Sequence, residues 1–194
     1  SIWSDGRASI IELAQAARVR KFIVTHGLTK YNHEPRSTAH WQNEGRKVIF
    51  VPGQVEDDAS IRFGCTEIKT NLKLLQAARK SHPDSFIVYK PHPDVLSGNR
   101  VGKVSQEQAG QWVDHIEKRL SVISCIEACD EVHCMTSLTG FDALLRNKPV
   151  TVYGTPFYAC WGLTNDVGGR IMPPDRRRVL GIDQLVAGAL LRYP

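Results

Sequence analysis

Four short apolar runs, each followed by a longer amphipathic one, constrain this chain more than any other feature. KVIFV (47–51), FIVYK (86–90), EVHCM (131–135) and PVTVYG (149–154) have the length and β-branched content of buried strands. After them come EIKTNLKLLQAARKS (67–81), SQEQAGQWVDHIEKRL (105–120), LTGFDALLRN (138–147) and GIDQLVAGALLRY (181–193), each long enough for a helix. Strands alternating with helices of this length form βαβ units, whose strands lie parallel with helices on both faces. The expected fold is α/β, a Rossmann-like parallel sheet with flanking helices.

Upstream, ASIIELAQAARVR (8–20) has the pattern of an amphipathic helix, leading into a short strand at 22–25 and then the polar stretch from Thr25 to Arg46. So long an irregular stretch is uncommon inside a compact domain. A boundary is therefore expected near residue 45. Residues 1–45 would be the end of a preceding domain plus a linker, and 46–194 a Rossmann-like ligand-binding domain.

With 194 residues, 42% of them hydrophobic, the chain can build a real core. No run approaches the roughly 18 apolar residues that span a bilayer, and SIWSDGRASIIELAQAARVRK lacks the order of a signal peptide. Five cysteines without framework spacing fit a reducing compartment, so a cytoplasmic protein is expected. Its 25 Lys and Arg against 20 Asp and Glu give a net charge of +5, with clusters at 17–21 and 175–179. That excess is too small and scattered for a nucleic-acid groove, and no RNA-binding aromatic motif or zinc-finger spacing accompanies it. It suits an anionic small ligand or an acidic membrane surface.

Open parallel sheets bind ligands outside the carboxyl ends of their strands, so four loops carry the chemistry: 52–60, 91–102, 136–140 and 154–166. In PHPDV, Pro91 and Pro93 fix their own φ and bias Lys90 and His92 toward extended backbone. His92 is thus presented at a strand end beside Lys90. There its imidazole can donate to a phosphate and stabilise charge on a departing one. Thr136 and Ser137 stand where strand turns into helix, where their hydroxyls and the first-turn N–H groups suit a phosphate; Ser137 serves equally as a helix cap. Glu56, Asp57 and Asp58 are too close to coexist unless some pair or face solvent, and an Asp at this edge can be a general base or a nucleophile toward an anomeric carbon. Phe157, Tyr158 and Trp161 either stack on a base or sugar or pack beneath a lid.

Two other readings fail. TSLTG is not the G-x-S-x-G elbow of a serine hydrolase, and a histidine between two prolines is a poor mobile base. Cys125, Cys129, His133 and Cys134 lie close in sequence, but adjacent strand residues face opposite sides, so they read as buried core and no metal is expected.

VPGQVEDDASIRFG, IVYKPHPDV, TSLTGFDALLRNKPVTVYGTPFY and WGLTND together resemble the capsule polysaccharide biosynthesis family of Gram-negative bacteria, β-Kdo glycosyltransferases, from about residue 29 (TKYNH) to the C-terminus. The resemblance implies the donor-binding half of a two-domain GT-B-type enzyme, with CMP-Kdo as the donor substrate and no other cofactor. It implies that His92-Pro93 and Thr136-Ser137 hold the CMP phosphate, with Gln54, Lys90, Thr139 and Gly154 completing the donor site. Gln54 and Asp58 match a Q-x-x-x-D pattern whose Asp is implied to be catalytic. Transfer would be retaining: Asp58 attacks the anomeric carbon, CMP leaves with help from His92, and an acceptor hydroxyl displaces the enzyme. The implied product is the β-Kdo linker of a capsular polysaccharide on a phospholipid. The implied partners are a glycolipid acceptor at the inner face of the inner membrane and the capsule assembly machinery, with no nucleic acid. Cys160 stands where the pattern expects glycine. A two-halved enzyme needs about 300 residues, so the chain is expected to be part of a longer protein. The alternative is a nucleotide-binding module that catalyses nothing.

Overall fold

The computed structural model describes residues 8–29, 36–98, 100–168, 176 and 178–192. Lys30 to His33 of the TKYNH segment, and Asp175 and Arg177 of the second basic cluster, lie outside the described residues.

Helix α1, Ile10–His26, starts at a capping box in which Ser9 and Glu12 satisfy each other's backbone N–H. It ends at Gly27, whose φ of 62° lets the chain turn left-handed while Gly27 and Leu28 return hydrogen bonds to Val24 and Ile23. The strand expected at 22–25 is therefore helix. Local β propensity loses there because the helix continues to its glycine stop and packs Ile23 and Val24 against the core.

The remaining elements follow in order: β1 Val48–Pro52, α2 Ala59–Gly64, α3 Asn71–Ser81, β2 Phe86–Lys90, α4 Pro93–Leu96, α5 Gln106–Gly110, β3 His115–Ile116, α6 Val122–Ala128, β4 Glu131–Cys134, α7 Leu138–Leu145, β5 Val150–Val152, β6 Asn165–Asp166 and α8 Ile182–Val186, which runs on as a π-helical turn, Ala187–Leu191. The helix expected over 105–120 stops at Gly110. Residues 115–116 instead form an edge strand, with Asp114 and Glu117 donating their N–H groups to Ile87 and Tyr89. Pairing with an otherwise bare edge of β2 outweighs the helical pattern.

All six strands are parallel, in the order β3-β2-β1-β4-β5-β6. Alternate residues feed two cores, as a sheet covered on both faces requires. Phe50, Val88, Val132 and Val152 pack with residues of α6, α7 and α8. Ile49, Val51 and Ile87 pack with Leu74, Leu75 and Ala78 of α3. Helix α1 lies against α8, fastened by ion pairs Arg20–Asp183 and Arg192–Glu12, each 2.8 Å. Beyond it, Ser37 N–H donates to Ser124 Oγ and Trp41 Nε1 to Glu117. Among the described residues no helix is long and apolar enough to cross a membrane.

Candidate functional site

The strand order reverses between β1 and β4, the place where open parallel sheets bind ligands at the carboxyl ends of their strands. The loop after β1 is held against the one after β2. Gly53 N–H donates to Lys90 O at 2.8 Å, and a Cβ on Gly53 would stand 3.0 Å from both His92 N and the Tyr89 hydroxyl. A side chain there would push the two loops apart. Gln54 follows, with its backbone clamped by Asn71, which accepts from Gln54 N–H at 2.9 Å and donates to Gln54 O at 2.8 Å.

The Gln54 side chain bridges the reversal. Its Nε2 donates to Thr136 Oγ1 at 3.1 Å, and its Oε1 accepts from Thr136 N–H at 2.9 Å. Ser60 Oγ, from the first turn of α2, completes the junction at 3.0 Å from Thr136 Oγ1. Both polar atoms of the Gln54 amide are engaged by Thr136, so Gln54 shapes the site by positioning the loop after β4.

The three neighbouring carboxylates take different places. Glu56 accepts the Asn71 N–H at 2.7 Å, and Asp57 pairs with Arg100 at 3.1 Å. Asp58 is exposed and caps α2, its Oδ1 accepting from Ser60 N–H at 2.7 Å. That cap fixes the carboxylate beside the Ser60–Thr136 contact.

His92 caps α4. Its Nδ1 accepts from Asp94 N–H at 3.2 Å, which puts the proton of the neutral ring on Nε2, and Pro93 takes the first helical position. Lys90 ends β2 opposite Pro52 and is buried, 4% exposed. Ser137 caps α7, accepting from Thr139 N–H at 3.2 Å, while its carbonyl accepts the hydroxyl of Tyr158.

Gly154 is the floor of the junction. A Cβ there would meet Cys65 Sγ, Gly64 O and Thr136 Cγ2, each at 2.8 Å, so glycine lets the end of α2 dock on the end of β5. The contact is sealed by Thr155 N–H donating to Gly64 O.

The aromatic loop packs. Tyr158 and Trp161 are buried, while Phe157 is partly exposed against Phe141. Cys160, in the position where glycine was expected, has φ 66°, a left-handed conformation that glycine adopts without strain. Its N–H donates to the Asp166 carboxylate. Cys125, Cys129 and Cys134 lie in the core, burial pushing the thiols of Cys129 and Cys134 up to about 12, so neither offers a thiolate. His133 points to the other face of the sheet and pairs with Glu131 and Tyr153.

Asn71 and Ser60 went unread in the sequence. Asn71 is 1% exposed and also donates to Gly102 O, tying together loops 17 and 31 residues away. Nothing in KTNLKLL announces contacts at that separation.

Comparison with known proteins bears on this geometry. A family model described as "Capsule polysaccharide biosynthesis protein" matches residues 8–193. The chain is 47% identical over 180 residues to the capsule polysaccharide modification protein LipA of Neisseria meningitidis serogroup B, covering 92% of this chain and 25% of that one. Two solved structures from Thermosulfurimonas dismutans KpsC superpose on it. The beta Kdo 2,7 transferase does so with a TM-score of 0.75 at 43% identity, over 94% of this chain and 54% of that one. The beta Kdo 2,4 transferase gives 0.80 at 28% identity, over 95% and 56%. The chain thus spans a quarter of this curated relative and about half of each solved structure.

Proposed function

The chain belongs to the capsule polysaccharide biosynthesis protein family, and from that premise we propose that residues 46–194 are the donor-binding half of a β-Kdo glycosyltransferase taking Kdo from CMP-Kdo. The observation that carries the proposal is the pair of hydrogen bonds between Gln54 and Thr136. It locks the loop bearing Asp58 to the loop bearing Ser137 across the strand-order reversal, with His92 N adjoining Gly53.

In this reading the CMP phosphate lies over the first turn of α7. The Ser137 and Thr139 hydroxyls face it there, and the dipole of α7 adds positive potential. His92 Nε2–H donates to the phosphate, and Lys90 supplies positive charge from below. The Asp58 carboxylate attacks the anomeric carbon of Kdo, the bond to the phosphate oxygen breaks, and CMP departs with its charge stabilised by His92. The acceptor hydroxyl then displaces Asp58, and two inversions give net retention. The acceptor is a glycolipid at the membrane surface.

Calorimetric titration with CMP, UMP and UDP tests the proposal. A clear preference for CMP is expected, and equal or absent binding overturns it. A nucleotide-binding role without transfer is the alternative, and Kdo turnover by the full-length protein separates the two.

A further inference from the structure

On the α3 side of β4 and β5 lies a cavity of about 430 Å³ that the glycosyltransferase reading does not use. His82, Tyr153, Thr151 and His133 line it, with Glu131 behind them. Glu131 and His133 are two residues apart on β4, so both side chains fall on the same face of the sheet. His82 reaches them from the C-cap of α3.

We propose that His82, Glu131 and His133 form a binding site for a divalent transition-metal ion of the zinc class, with the cavity leaving a further position to water or another donor. One donor atom from each side chain lies within 4.8 Å of the others. Zinc bonds of about 2.0–2.2 Å hold tetrahedral donors ~3.3 Å apart, so a small rotation of the half-buried His82 ring toward Glu131 and His133 closes the set.

The outer contacts match what metal ligands require. His133 Nδ1 pairs with the Tyr153 hydroxyl at 3.1 Å, His82 Nδ1 with Ser81 Oγ at 3.0 Å, and Thr151 Oγ1 donates to Glu131 Oε1 at 2.6 Å. Each histidine is thereby anchored by Nδ1 and turns Nε2 toward the carboxylate; metal binding displaces the proton that His133 Nε2 shares with Glu131 Oε1 at 3.0 Å, leaving Nδ1–H to donate to the Tyr153 oxygen.

His82 Nε2 faces Glu131 Oε2 at 3.7 Å, with Ser81 Oγ 3.0 Å from its Nδ1. Burial alone would raise Glu131, but hydrogen bonds from His133, Lys47 and Thr151 outweigh it and keep the carboxylate ionised. Lys47 Nζ now sits 2.7 Å from Oε2 on a side chain 47% exposed; it competes with the metal and can swing into solvent.

The full chain, stripped with chelator, is titrated with Co²⁺ by absorption spectroscopy and with Zn²⁺ and Mg²⁺ by calorimetry. The expected result is one Co²⁺ or Zn²⁺ per chain, a higher melting temperature, no comparable Mg²⁺ binding, and ligand-field bands without a thiolate charge-transfer band. His82→Ala and Glu131→Gln should abolish or greatly weaken binding. Tyr153→Phe should weaken it roughly 10-fold through the lost outer contact, and Lys47→Ala should tighten it. His82 and Lys47 are partly exposed, so those two variants remain decisive even if changes at buried Glu131 or Tyr153 disturb folding. Absence of stoichiometric binding, a thiolate band, or binding undiminished in His82→Ala overturns the site.

Discussion

Gln54 and Thr136, 82 residues apart, are joined by two hydrogen bonds of 3.1 and 2.9 Å across the point where the sheet reverses its strand order. Gln54→Ala leaves the Thr136 N–H without this acceptor and frees the loop after β4. The melting temperature and CMP affinity should fall together. In a double-mutant cycle with Thr136→Val, the coupling should reach about 1 kcal/mol, as for contacting hydrogen-bonded residues. Strict additivity would show that the pair acts through separate routes.

His92 has two roles that one substitution separates. Asn can replace Nδ1 as the acceptor for the Asp94 N–H at the α4 cap, but it lacks the imidazole Nε2–H at its position. His92→Asn should leave the melting temperature unchanged while weakening CMP roughly tenfold, the loss of one hydrogen bond to a charged group. Parental CMP affinity removes His92 from the donor site.

Asp58→Asn keeps the α2 cap, because Asn is as good a capping residue. Fold and CMP affinity should survive, and Kdo transfer by the full-length protein should drop by several orders of magnitude. Asp57→Asn removes only an exposed pair with Arg100 and should cost little. Turnover near the parental rate in Asp58→Asn would exclude it as the nucleophile.

Asp142 is buried, and burial raises its carboxyl to about 6 despite the hydrogen bond from Thr29 and the charge of Arg146. A folded-state value above the unfolded 3.8 favours the protonated acid. Its contribution is therefore present below pH 3.8 and lost as pH rises through about 6. Asp142→Asn should stabilise the fold by about 2–3 kcal/mol at pH 7.5 and have little effect below pH 4, measured by denaturant titration across pH. A benefit that does not change with pH would contradict this.

At Cys160 the backbone has φ 66°, where a side chain is strained. Cys160→Gly should stabilise by about 1 kcal/mol, the relief of strain being partly offset by the greater freedom of glycine in the unfolded chain. A lower melting temperature would show that the thiol's packing outweighs the strain.

What the sequence by itself determined was the architecture and the edge at which to look. Fully buried strands such as FIVYK alternate with helix-length segments, and that pattern admits little but a helix-covered parallel sheet. The prolines around His92 and the hydroxyls of Thr136-Ser137 were legible because their effect is local: a fixed φ and a helix start depend on immediate neighbours. Only the tertiary structure decided the rest. Whether 22–25 was strand or helix, and where the 105–120 segment broke, turned on a glycine stop and a vacant sheet edge. The partnership of Gln54 with Thr136, the hidden clamp of Asn71, and the meeting of His82 with Glu131 and His133 join residues far apart in the chain. Such contacts follow from strand order, and strand order is settled by the packing of the whole sheet rather than by any short stretch of it.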